Sequence, residues 1–167
     1  MRSRPELSDD RPRRRPAKPA ADAYQQALGL LVRRERSRAE LSRKLRERGV
    51  DPAEADATID RLSGQGYQDD DRFAGALART RAAAGYGPQR IRMELNQHGI
   101  RGQAQDAALD TCEVDWSASA LDLLTRRYSP AQLDDRAVRH KALALLLRRG
   151  FDQETAYAAI DSLRRGG

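Results

Sequence analysis

Arginine is the side chain with which this chain can do most chemistry, and its placement recurs. Arg33, Arg34, Arg36 and Arg38 form one group, Arg79 and Arg81 a second, and Arg126 and Arg127 a third. The first group runs on into Arg43, Lys44, Arg46 and Arg48, and Arg90 and Arg92 follow the second. Guanidinium groups in such runs neutralise phosphates or acidic protein surfaces; they do not by themselves make or break bonds. Between Arg33 and Arg48 eight basic residues stand against three acidic ones, a net +5, whereas residues 67–116 hold six basic against eight acidic. Charge is therefore polarised, basic towards both ends and mildly acidic in the middle. A second reading of the same arginines stays open: late in a helix they complement its dipole, by roughly 0.3–1 kcal/mol each.

Little else in the chain is built for catalysis. An enzyme needs convergent polar groups, but the two histidines, His98 and His140, stand far apart, and no serine neighbours a plausible base. His98 reads as a polar residue at a helix C-terminus, and His140, between Arg139 and Lys141, as part of a solvated face. The single cysteine, Cys112, excludes an internal disulfide and a cysteine-rich metal site. Asp69, Asp70 and Asp71 are better explained as a helix start than as metal ligands, because adjacent acids in one turn diverge. Gly85-Tyr86-Gly87-Pro88 does not follow a strand, so it reads as a helix cap and not as a phosphate loop. No catalytic residue, metal or cofactor is expected.

The elements that position the arginines are repeated. A glycine followed at once by an apolar residue, with further apolar positions ten and thirteen residues on, occurs three times. The instances are Gly49, Val50, Ile59 and Leu62; Gly99, Ile100, Leu109 and Cys112; and Gly150, Phe151, Ile160 and Leu163. Leu45, Leu95 and Leu146 precede the three glycines by the same step. Cys112 thus stands where the other copies have leucine and reads as a small apolar side chain.

Each copy carries helix punctuation. Tyr24, Ala27, Leu28, Leu31 and Val32 form a helical stripe, and Ser37 to Glu40 reads as a capping box, with the hydroxyl on the N3 amide and the carboxylate reaching back. Gly49 closes that helix as a left-handed cap, and Asp51-Pro52 opens the next. Phe73 and Leu77 begin the second copy, with Tyr67 as a staple onto the first, and Gly87-Pro88 replaces the serine cap. Leu121 and Leu124 begin the third; a longer link passes Ser129 and Pro130 to a helix through Leu143, Leu146 and Leu147, and Asp152 caps the last helix.

The fold expected is all-α: three tandem three-helix repeats over 23–66, 67–116 and 117–167, in an elongated array. Composition agrees, with 34% charged and only 5% aromatic residues. A unit this small buries too little apolar surface alone, so neighbours must stack. Residues 1–22 hold four of the seven prolines with Arg11, Arg13, Arg14, Arg15 and Lys18, and read as a disordered basic arm. No apolar run is long enough for a membrane span or follows the N-terminal arginines as in a secretory signal, so a cytoplasmic location is expected. A net charge of +6 points to anionic partners, although an arginine-rich genome would leave the same mark.

The Gly66-Tyr67-Gln68-Asp69-Asp70 link running into Phe73-Ala74 between two such units, with Gly150-Phe151 in the last, resembles the RecX family of bacterial regulatory proteins. The likeness covers roughly residues 23–165. Two departures are Gln68, where an aliphatic residue is commoner, and the long basic arm. The resemblance implies a monomeric, non-enzymatic modulator that binds the RecA–DNA nucleoprotein filament and restrains its ATP hydrolysis and strand exchange. That role bears on recombination, DNA repair and the SOS response. The basic residues named above are the candidate contacts to filament or to single- or double-stranded DNA. The competing reading from the residues alone is a helical DNA-binding module that needs no recombinase partner. Arg90, Arg92, Asn96 and Gln97 supply base-reading chemistry in one repeat only, which favours the filament.

Overall fold

The computed structural model describes residues 20–166, and among these there are helices and no strands. The helices are α1 (Ala20–Leu31), α2 (Arg38–Glu47), α3 (Pro52–Gly64), α4 (Asp70–Ala83), α5 (Pro88–Gln97), α6 (Gln103–Asp110), α7 (Trp116–Thr125), α8 (Arg136–Arg149) and α9 (Gln153–Arg165). A short 3-10 helix, Ala131–Asp134, precedes α8. Positions 1–19 of the expected basic arm, with Arg11, Arg13, Arg14, Arg15 and Lys18, lie outside the described residues. The first helix already begins at Ala20, inside the range read as the arm.

Packing groups the helices by threes. Leu41, Leu45, Ile59 and Leu62 fill the core of α1–α3, and Phe73, Ile91, Leu95 and Leu109 that of α4–α6. Leu124, Leu146, Phe151 and Ile160 fill that of α7–α9, where Leu133 from the 3-10 helix is also fully buried. Each fully buried aliphatic side chain contributes about 1.5–3 kcal/mol. Trp116, the first residue of α7, packs against the cores of both the second and third triplets.

The second helix of each triplet ends identically. Val50, Ile100 and Phe151 donate their backbone N–H to Leu45, Leu95 and Leu146, while Gly49, Gly99 and Gly150 donate theirs to Arg46, Asn96 and Leu147. The three glycines take φ of 84°, 78° and 92°, the left-handed cap that their spacing predicts. Helix starts also follow the sequence: Asp51, Asp69, Asp115, Asp135 and Asp152 each accept amide hydrogens of the following turn.

Four local expectations are corrected. Ser37 does accept the Glu40 amide at 3.1 Å, but Glu40 does not reach back; its carboxylate is bonded by Arg34 and Arg36. Tyr67 is half exposed and joins neither of the first two cores, whereas its neighbour Gln68 is buried between those units. On α8, Leu145 is buried and Leu147 is exposed, as are Arg46 and Asn96 at the same place in the first two units. Cys112 is only partly buried at the edge of the second core, where burial raises its thiol pKa.

The candidate interaction surface and the junctions that shape it

The first junction, between triplets one and two, is made by side chains. Ser37, the N-cap of α2, shares a hydrogen bond of 2.8 Å with Nδ1 of His98, the C-cap of α5. The His98 ring packs on Phe73 with centroids 4.7 Å apart. Asp70 accepts the Arg38 amide, the first of α2, at 2.8 Å, so an acid of the second unit caps a helix of the first. Gln68 donates to Asp70 at 2.8 Å and to the Arg36 carbonyl at 3.4 Å. Arg72 pairs with Glu35 across the same seam.

The second junction joins equivalent positions by backbone. The Gly87 N–H, at the N-cap of α5, donates to the Arg149 carbonyl at 2.8 Å, and the Gln89 N–H donates to the Gly150 carbonyl at 3.0 Å. The last carbonyls of α8 thereby satisfy amides that α5 leaves unpaired, end to start, as the dipoles favour. Gly87 has no side-chain cap because none would fit: a Cβ there would lie 2.5 Å from the Gly150 carbonyl. The Arg149 guanidinium covers the Tyr86 ring at 4.9 Å and donates to the Ala84 carbonyl at 3.1 Å. In both junctions, then, the C-terminus of one unit's second helix meets the N-terminus of the preceding unit's second helix, giving the order α8, α5, α2.

The candidate arginines fall into three states. Arg36 is buried, donating to the Leu30 carbonyl at 3.1 Å and pairing with Glu40, which Arg34 also binds at 3.1 Å. Burial pushes the Glu40 carboxyl up, but the hydrogen bond and charge of Arg34, joined by Arg36, outweigh it and hold the pKa below its ordinary value. Most others are exposed or half-buried, and paired: Arg38 with Asp60, Arg43 and Lys44 with Glu47, Arg46 with Asp56, Arg81 with Glu94, Arg92 with Asp106, and Arg126 with Asp122. Arg79 donates to the Thr111 hydroxyl at 3.4 Å. Arg33, Arg48, Arg90 and Arg127 have no carboxylate partner among the described residues. Arg81 and Arg90 line one surface groove with Tyr86 and Met93, and Arg127 lines another on the third unit, which does not include Arg126.

Among the described residues no three His, Cys, Asp or Glu side chains come together as a metal site would require. Of the three aspartates of the link, Asp69 caps α4, accepting the Asp71 amide, and Asp70 serves the first junction. Nor is any described helix long and apolar enough to cross a membrane. Sequence reasoning missed the junction residues His98, Gln68, Asp70, Gly87 and Arg149. The fifty-residue register, which pairs Ser37 with Gly87 and His98 with Arg149, was the available signal.

Fold and surface together define a helical-repeat protein of three stacked three-helix units. The model of the first three-helix domain of RecX matches residues 23–62, and that of the second matches residues 69–109. The Regulatory protein RecX of Xanthomonas campestris pv. campestris (strain B100) is 54% identical over 128 residues, 77% of this chain and 79% of that protein. That of Stenotrophomonas maltophilia (strain R551-3) is 50% identical over 141 residues, 84% of this chain and 82% of that one. The crystal structure of RecX from Lactobacillus salivarius superposes with a TM-score of 0.72 over 86% of this chain and 96% of that one, at 23% identity, a likeness of fold. The chain belongs to the RecX family of regulatory proteins.

Proposed function

We propose that this protein is a non-catalytic modulator of the RecA recombinase, acting as a monomer in the cytoplasm. It binds the RecA–DNA nucleoprotein filament and restrains ATP hydrolysis and strand exchange, and so bears on recombination, DNA repair and the SOS response. The observation that carries this reading, beside family membership, is the order α8, α5, α2. Equivalent helix ends meet at both junctions, so the three units present corresponding surfaces in sequence. A body that repeats along its length suits a partner that repeats along its own. Of the candidate residues, Arg33, Arg48, Arg90 and Arg127 are the foremost contacts, because none of them enters an ion pair among the described residues. Arg34, Arg36 and Arg38 act chiefly by holding the first unit and its junction together.

The reading is tested by sedimenting RecA-coated single-stranded DNA with the full chain, with free RecA and bare DNA as controls. The protein is expected to pellet with the coated strand and to remain in solution with free RecA. Failure to pellet with the coated strand at micromolar concentration would overturn it.

A further inference from the structure

A second groove runs between the C-terminal end of α7 and α8. It has a volume of about 420 Å³ and is lined by Arg127, Tyr128, His140, Lys141, Leu145 and Arg148 among others. No acidic residue lines it. Arg127, Lys141 and Arg148 are exposed and enter no ion pair among the described residues. Tyr128 is half buried, and the buried Leu145 supplies an apolar floor.

The repeat register shows why this groove differs from its counterparts. Counted back from the glycine that ends each second helix, Arg148 takes the place of Gln97 and Glu47, and Lys141 that of Arg90 and Glu40. These two places lie seven residues apart, two helical turns or about 10 Å along one side of the helix. They carry two carboxylates in the first unit, one cation in the second and two cations in the third. Leu145 likewise takes the place of Glu94, whose carboxylate binds Arg81 in the second unit's groove. In the first unit Glu47 is paired with Arg43 and Lys44, and Glu40 with Arg34. Six of the eight cations between Arg33 and Arg48 are thus held in ion pairs, on four carboxylates, while the third unit's groove keeps its charge. Arg90 packs its backbone against Gly150, two residues beyond Arg148, and so carries the line of unpaired cations into the second unit.

We propose that this groove binds the phosphodiester backbone of single-stranded nucleic acid. Arg127, Lys141 and Arg148 neutralise successive phosphates, and Tyr128 offers a face on which a base stacks. A single strand fits better than a duplex. The cations line a concavity beside a helix whose other side is packed on α9, whereas reading a major groove takes a helix that projects into it. The ligand is the strand itself and not its protein coat, so the proposal goes beyond the recombinase reading and does not depend on it.

The test is fluorescence anisotropy of an end-labelled oligothymidylate titrated with the full chain across a salt series, with no recombinase present. The wild type is expected to bind. Replacing Arg127, Lys141 and Arg148 together by alanine should weaken binding at least about tenfold and flatten the salt slope by about 2, at about 0.7 for each phosphate left without its cation. Tyr128→Leu, which keeps an apolar side chain, should weaken binding by about tenfold or less without altering the slope. Arg61→Ala, which removes an exposed cation of the first unit that sits over the Tyr24 ring, should change affinity less than about twofold. Helical circular dichroism confirms the fold of each variant, the replaced cations being exposed. Wild-type affinity in the triple variant, an equal loss in the first-unit control, or equal competition by a duplex or by polyglutamate would each overturn the proposal. A negative result here leaves filament binding standing, because the sedimentation test does not use bare strand as its signal.

Discussion

The two junctions solve one problem with different chemistry. Between the first and second units, Ser37 and His98 bridge the gap with side chains, and Asp70 and Gln68 add hydrogen bonds. Between the second and third, Gly87 and Gly150 let the backbones meet directly, with Arg149 folded over Tyr86 as a clasp. The positions correspond fifty residues apart, so the difference lies in residue type and not in topology. A side-chain junction tolerates small displacements and depends on polar partners. A backbone junction tolerates no added atom. The same glycine cap therefore carries different weight in each unit.

The sharpest way to break that contrast is to add one methyl group at equivalent glycines. Gly150→Ala meets two penalties: a left-handed φ, worth about 1–2 kcal/mol, and overlap with the Arg90 backbone, worth about 1–3 kcal/mol more. Gly99→Ala has the same φ penalty but open space around its Cβ, so it should cost only about 1–2 kcal/mol. Urea midpoints of the two variants measure the difference; equal losses would refute the close backbone contact at the second junction.

Next in size is the buried polar cluster beside the first junction. Arg36→Ala leaves Glu40 and the Leu30 carbonyl short of a buried partner and should cost about 1–3 kcal/mol. Arg33→Ala, exposed and unpaired, should stay within about 0.5 kcal/mol. Thermal unfolding compares them, and similar melting temperatures would remove Arg36 from the framework. The same cluster sets an acid limit. A carboxyl whose folded pKa lies below its unfolded value stabilises the protein above that unfolded value and loses the contribution as pH falls through the folded one. Glu40 is held below its ordinary 4.5. Stability of the wild type should therefore fall more steeply below pH 4.5 than that of Glu40→Gln; parallel urea midpoints over that range would contradict the assignment.

The smallest effect is the most specific to the first junction. A double-mutant cycle on Ser37→Ala and His98→Ala should give a coupling of about 0.5–1.5 kcal/mol, the worth of one buried hydrogen bond. Additive losses would mean that the two residues act separately, Ser37 only as a cap.

The helical repeats were legible because their signals are local. Glycine caps, aspartate caps and the step from glycine to buried apolar residues act within one or two turns, and Gly49, Gly99 and Gly150 do what their spacing implied. Junction chemistry was not legible, since it depends on which residues from different units meet. His98 looked like any polar residue at a helix end, and Gly87 like an ordinary cap, until each met its partner some sixty residues away. Charge misled in the same way: the run from Arg33 to Arg48 shows its net surplus in the sequence but not its pairing with Glu40, Glu47, Asp56 and Asp60. The 3-10 helix before α8 left no periodic signal in four residues, although it brings Leu133 wholly into the core.

The most direct measurement is RecA-catalysed, DNA-dependent ATP hydrolysis titrated with the full chain. Hydrolysis is expected to fall, in step with site occupancy where the array lies along the filament and far below one molecule per recombinase where it caps filament ends. Hydrolysis that stays at its uninhibited rate with the filament saturated by this protein would contradict the account.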